Sequence, residues 1–209
     1  MGKNKEKKLK KSKAAPTTPV QISPIFSTPP PKPLTLHHRS PNSDPVIQRD
    51  IAELIRPILP PLPREALHWD LLYSTDQHGM SISTMFGKAE GEGVLAVKDD
   101  EGRCFGVFLS EGLRIGKGYY GNGATFLWRV NERGGVTAYL TTGKNEYYVL
   151  SEAGSGLAFG GGEGDFGLWI NDNLLDGHSS SCPTYDNEPL AGSAGKFKVA
   201  AVELWGFRH

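Results

Sequence analysis

The placement of glycine constrains this chain more than any other feature. All but one of its 26 glycines lie at or beyond Gly79, where they punctuate short apolar runs. Glycine supplies positive φ and close backbone approach, and in a helix interior it costs about 0.5–1 kcal/mol relative to alanine. A chain broken up in this way predicts many short strands joined by tight turns, with no long helix beyond position 79.

The strand candidates follow in order. Leu71 to Tyr73, Val94 to Val97 and Cys104 to Leu109 come first, the last two separated by the hairpin signal Asp99-Asp100-Glu101-Gly102. Thr125 to Val130 and Val136 to Leu140 flank a second one, Asn131-Glu132-Arg133-Gly134-Gly135. Tyr147 to Leu150, Leu157 to Phe159, Phe166 to Ile170 and Phe197 to Trp205 complete a set of about nine. Helical signals concentrate earlier. Asp44-Pro45 suits an N-cap and first helical position, and Ile47, Ile51, Leu54, Ile55 and Ile58 fall on one helical face until Pro57 and the prolines at 60, 61 and 63 end it. Ser81 caps a second short helix running to Phe86. The fold class is therefore mostly β (α+β). It is a two-layer antiparallel β-sandwich with one to three short helices packed near the N-terminal part of the domain. Trp69, Trp128, Trp169 and Trp205 each sit in an apolar strand context and read as core.

The zero net charge hides an asymmetry. Residues 1–45 hold nine of the 23 Lys and Arg but two of the 23 acids, about +7, which leaves 14 bases against 21 acids in 46–209. The division is a disordered leader over 1–45, Lys-rich and then Pro-rich, and a domain over 46–209. Lys3, Lys5, Lys7, Lys8, Lys10, Lys11 and Lys13 form a self-repelling tail or an acidic-surface or nuclear-import patch. The prolines from Pro16 to Pro45 predict an extended linker with several Ser-Pro and Thr-Pro pairs, Ser40-Pro41 among them. An acidic body argues against nucleic-acid binding by the domain, because duplex binding requires a concentrated positive surface. No apolar run is long enough to span a bilayer, and two cysteines, Cys104 and Cys182, make no disulfide framework, so an intracellular home is expected.

Candidate chemistry gathers in one stretch. Gly160-Gly161-Gly162-Glu163-Gly164 looks like a phosphate loop but lacks the Gly-Lys-Ser/Thr ending and precedes a strand, so backbone geometry is the simpler reading. Glu163, Asp165 and His178 suggest a metal or acid–base site, yet no second His/Cys pair accompanies His178 and Cys182. Cys182 near His178 offers either a peroxide-reactive thiol, with Cys104 as the one available resolving partner, or a small side chain buried under a loop. No catalytic set, cofactor motif or metal site is predicted. Gly160, Gly161, Gly162, Glu163, Asp165, His178 and Cys182 remain as an interaction or structural motif.

Several separated motifs occur in an order that resembles the TLDc domain, the module of the oxidation resistance protein 1 family. They are Trp69-Asp70-Leu71-Leu72-Tyr73-Ser74, His78-Gly79-Met80-Ser81, Phe105-Gly106-Val107-Phe108 and Tyr120-Gly121-Asn122-Gly123-Ala124-Thr125-Phe126. Leu157 to Ile170, Asp176 to Asn187 and Val202 to Phe207 continue the pattern. A departure lies between Phe86 and Val94, which is shorter than the family pattern and weakens any transfer of binding behaviour through that loop. The resemblance implies a compact β-sandwich with packed helices, protection against oxidative damage without an agreed enzymatic reaction, and binding to protein partners that include the vacuolar proton ATPase. It further implies a mitochondrial location, with cytosol or nucleus as alternatives. A monomer is expected, and the rival function is a thiol-based redox protein using Cys182.

Overall fold

The computed structural model describes residues 18–23 and 32–208. Among them, twelve strands and four short α-helices follow one another along the chain. The first half contributes β1 (Val20–Ile22), β2 (Thr35–His37), α1 (Arg49–Ile55), α2 (Pro61–Glu65), β3 (His68–Ser74), α3 (Thr75–His78) and α4 (Ile82–Phe86). Next come β4 (Gly93–Asp99), β5 (Cys104–Leu109), β6 (Phe126–Val130), β7 (Val136–Tyr139), β8 (Val149–Glu152) and β9 (Gly156–Phe159). The last are β10 (Leu168–Ile170), β11 (Asp176–His178) and β12 (Lys196–Arg208).

The strands make two sheets that share β12. The larger runs β1-β7-β6-β5-β4-β12-β3-β2, antiparallel except for the parallel β2–β3 pair. The smaller runs β12-β11-β10-β9-β8, all antiparallel. β12 can serve both because it is 13 residues long and bulges between Val199 and Ala201. The bulge changes the alternation, so Phe197 and Val199, then Val202 and Leu204, all face the space between the sheets. Leu95, Val97, Phe105, Val107 and Leu127 of the large sheet meet Leu157, Phe159, Leu168 and Ile170 of the small one there.

The other face of the large sheet is also covered. Trp69, Trp128 and Trp205, all with no exposed surface, pack there with Leu34, Ile47, Ala52 and Ile55. Burial on both faces explains why β4 and β5 read as continuous apolar runs rather than as alternating strands. α1 covers the outer face of the large sheet, while α4 packs Met85 into the core between the sheets.

Four expectations need correction. First, the ordered body starts before residue 46. Leu34 is 1% exposed, β2 pairs with β3, and Val20–Ile22 adds to the edge of β7. Proline does not prevent this, since Pro19 precedes an edge strand and leaves the ladder intact. The Lys run over 3–13 and the prolines at 29–31 lie outside the described residues.

Second, α1 starts at Arg49, and Asp44 is not its cap. Arg39 Nη2 donates to the Ile47 carbonyl (2.5 Å) while the Ile47 N–H donates to Glu203 (3.0 Å), which fixes residue 47 before the helix begins. Asp44 reaches out to Lys98 (2.7 Å).

Third, Pro61 and Pro63 do not end a helix but open α2, whose first turn requires no amide donors. Fourth, Trp169 is only half-buried, with its indole N–H donating to the Ser155 carbonyl (3.0 Å). The expected cap at Ser81 is present: its hydroxyl accepts from the Thr84 N–H (3.2 Å).

Candidate interaction surface

The loop joining β9 to β10 begins where the β9 ladder ends. Gly160 has φ +73°, and a Cβ there would lie 2.7 Å from both the Cys182 sulfur and the Tyr185 ring. A Cβ on Gly161 would meet the Tyr119 hydroxyl at 2.5 Å. Other loops press against the backbone of these two glycines, which is a packing requirement that any side chain would violate.

A closed polar ring fastens the loop. The Gly161 N–H donates to the Thr184 hydroxyl (2.9 Å), that hydroxyl donates to the Asn145 side-chain oxygen (2.8 Å), and Asn145 Nδ2 donates back to the Gly161 carbonyl (3.1 Å). Thr184 is fully buried. Such rings are expensive to leave half-satisfied in a low-dielectric interior, so they fix one loop conformation. Tyr119 stacks on Tyr147 at 4.5 Å with an interplanar angle of 18°, joining the β5–β6 and β7–β8 loops beside it. Lys144 and Asp186 close the rim with an ion pair of 2.6 Å.

The tip of the loop projects outward. The Asp165 N–H donates to the Gly162 carbonyl (3.1 Å), and both Glu163 (φ +58°) and Gly164 (φ +90°) lie in the left-handed region. Left-handed backbone at glutamate is disfavoured, by about 1 kcal/mol or more. It holds the Glu163 carboxylate in solvent, next to exposed Asp165. Tyr147, 43% exposed, and exposed Glu146 belong to the neighbouring β7–β8 loop.

Of the residues singled out from sequence, Gly160, Gly161, Gly162, Glu163, Asp165, His178 and Cys182 gather at this end of the sandwich, with His178 and Cys182 turned to different partners. The His178 ring nitrogen Nε2 bonds to Ser180 Oγ (2.8 Å) and lies 3.7 Å from the Asp165 carboxylate. The Cys182 thiol turns instead to the Asn187 side-chain oxygen (3.4 Å).

Burial raises the Cys182 thiol pKa above its ordinary value, and neighbouring backbone hydrogen bonds offset this only in part. Cys182 belongs to the core between the sheets, whereas Cys104 packs on the outer core across the large sheet. Burial, with the charge of Glu203 as the next cause, pushes the Cys104 thiol up to about 12. Two thiols on opposite faces of a sheet cannot resolve one another without unfolding it. Among the described residues, no three His, Cys, Asp or Glu side chains converge on a metal-sized site.

Sequence reasoning missed Tyr119, Asn145, Tyr147 and Thr184. Asn145 ends the turn run Thr142-Gly143-Lys144-Asn145 and Thr184 follows a proline, so each reads locally as loop chemistry, and only the fold brings them to Gly161. The stacked tyrosines had a faint signal in Tyr119-Tyr120 and Tyr147-Tyr148, paired aromatics beside glycine-rich loops.

The family model that matches is that of the TLDc domain, over residues 40–208. The chain belongs to the TLDc family. The match takes in Ser40 to Pro45, part of the segment whose packing moved the start of the body forward. Among similar proteins, oxidation resistance protein 1 of Yarrowia lipolytica is 36% identical over 169 residues, covering 77% of this chain and 72% of the relative. Its namesake in Cryptococcus neoformans is 34% identical over 190 residues, covering 83% of this chain and 41% of the relative. The Homo sapiens protein of the same name is 35% identical over 142 residues, 66% of this chain and 16% of the relative. The TLDc chain therefore spans well under half of the Cryptococcus neoformans and human relatives.

Proposed function

We propose that this TLDc domain protects against oxidative damage by binding another macromolecule through the Gly160–Asp165 end of its sandwich, without itself consuming an oxidant. The observation that carries this reading is the division of labour in that loop cluster. Its polar backbone and side-chain groups are spent on one another, while Tyr147, Glu146, Glu163 and Asp165 face outward as an aromatic and acidic rim. The names of the relatives supply the biological context. Family resemblance makes subunits of the vacuolar proton ATPase the first partners to examine, and a mitochondrial pool the first location, ahead of cytosol or nucleus.

The rival role, peroxide reduction at Cys182, requires a thiolate, and burial opposes one. Purified full chain is incubated with hydrogen peroxide and a thioredoxin-type reductant. Consumption no faster than in a protein-free control supports the binding role. Thiol-dependent turnover that disappears in Cys182→Ser overturns it.

A further inference from the structure

Far from the loop cluster, the pairing of β2 with β3 brings metal-ligating side chains together. His37 Nε2 and His68 Nδ1 lie 3.0 Å apart, on neighbouring parallel strands. The rings are 5.1 Å apart between centres and tilted by 47°. The contact is solvent-exposed, so both rings can turn.

From this juxtaposition of His37 and His68 we infer a two-imidazole site for a late first-row divalent cation of the copper–nickel class. Imidazole suits these ions, and tetragonal coordination takes ligands in cis positions about 90° apart. With metal–nitrogen bonds of about 2.0–2.1 Å, a nitrogen separation of 3.0 Å subtends about 94° at the metal. A tetrahedral zinc ion wants the nitrogens about 0.3–0.4 Å further apart. At this separation the bite lies nearer to tetragonal copper or nickel than to tetrahedral zinc, and the general affinity order places copper above both.

One of the two facing nitrogens donates the proton of the present contact, and moving that proton to the same ring's other nitrogen frees both lone pairs. Modest rotation of both rings brings them onto a shared ion, with each imidazole neutral and carrying its proton on the other nitrogen. No redox step is involved. Water fills the remaining positions, because the rest of the cluster is engaged elsewhere. Asp70, in register with His37, holds Arg208 through both oxygens (2.7 and 2.9 Å) and lies 3.3 Å from His38 Nε2. His38 Nε2 is itself 3.0 Å from Arg208 Nη2. A bound cation would staple the short strand β2 to β3, and thus tie the segment entering the fold to the body.

The test uses the full chain without a histidine tag, with CuCl2, NiCl2, ZnCl2 and MgCl2 as separate probes. Titration calorimetry and thermal unfolding are followed for the parent, His37→Asn, His68→Asn and, as a distant control, His178→Asn. One equivalent of copper should bind, with nickel and zinc progressively weaker and magnesium silent, and the melting temperature should rise with copper. Either His37→Asn or His68→Asn should weaken copper at least about tenfold and abolish the thermal shift, while His178→Asn leaves both intact. The copper resonance spectrum should show two equatorial nitrogens in the parent and one in each variant. Copper affinity unchanged by both substitutions, or no stoichiometric binding by the parent, would overturn the assignment. Circular dichroism of the metal-free variants separates ligand loss from misfolding.

Discussion

Arg39 and Glu203 provide the sharpest test of where the body begins. Glu203 is 1% exposed and sits mid-way along β12. Arg39 Nη2 and Nε contact its carboxylate at 2.9 and 3.1 Å, and the guanidinium lies 4.8 Å above the Trp205 ring. Replacing Arg39 by Met leaves that carboxylate buried without its cation. Removal of one partner from a buried pair typically costs about 3–5 kcal/mol. Two features lower the figure here. Glu203 keeps the Ile47 N–H and the Trp205 indole N–H, each at 3.0 Å, and the Arg39 side chain is 17% exposed.

A loss of about 2–4 kcal/mol is therefore expected, a large share of the 5–15 kcal/mol that ordinarily separates folded from unfolded chains. Urea unfolding at neutral pH, followed by tryptophan fluorescence, should show the midpoint falling by about 1–2 M with little change in slope. Arg39→Met combined with Glu203→Gln should recover part of the loss, giving a coupling of about 1–3 kcal/mol. A loss below about 1 kcal/mol with no coupling would mean that residues 32–45 behave as a detached linker, and the reasoning would fail.

Three further outcomes follow from the same physics. Gly160→Ala should destabilise by about 2–4 kcal/mol, since it adds a methyl group to a full core at a positive φ; a change under about 0.5 kcal/mol in urea unfolding would exclude the described contact with Cys182 and Tyr185. Ser81→Ala should cost about 1 kcal/mol as a lost cap, whereas Asp44→Ala, whose side chain is 82% exposed, should cost under about 0.5 kcal/mol; equal losses at the two positions would restore the Asp44 cap. Alkaline stability should fall from about pH 9, because the unfolded Cys104 thiol ionises there while the folded one stays protonated to about 12. Below the ordinary thiol pKa that contribution is complete, and it declines by about 1.4 kcal/mol per pH unit above it. Cys104→Val should make the decline between pH 9 and 10 shallower, and an unchanged slope would rule out the thiol as its source.

The parts of the fold that were legible share a physical cause. β5 spans the predicted Cys104 to Leu109 because a strand buried on both faces writes an uninterrupted apolar run. α4 follows its Ser81 signal because N-capping is local. β1 and β2 were not legible, since each is a three-residue strand whose pairing is decided by a partner distant in sequence, and the three-residue β11 was hidden by its own turn-like residues. Asp176-Gly177-His178 in particular spells a turn locally, yet pairs with both β10 and β12. Glu203 did leave a trace, a charge inside the apolar strand Val202 to Phe207, though nothing adjacent names Arg39 as its partner. At the loop cluster the glycine run marked the place, while the polar ring that gives it shape comes from Asn145 and Thr184, 16 and 23 residues away from Gly161.

Survival under peroxide separates a binding surface from a reactive thiol most directly. Cells lacking their own TLDc protein are given equal folded amounts of the full chain, Cys182→Ala, or Tyr147→Ala combined with Glu163→Lys. Protection should persist with Cys182→Ala and be lost with the double surface variant. Loss with Cys182→Ala and full protection from the surface variant would contradict the account.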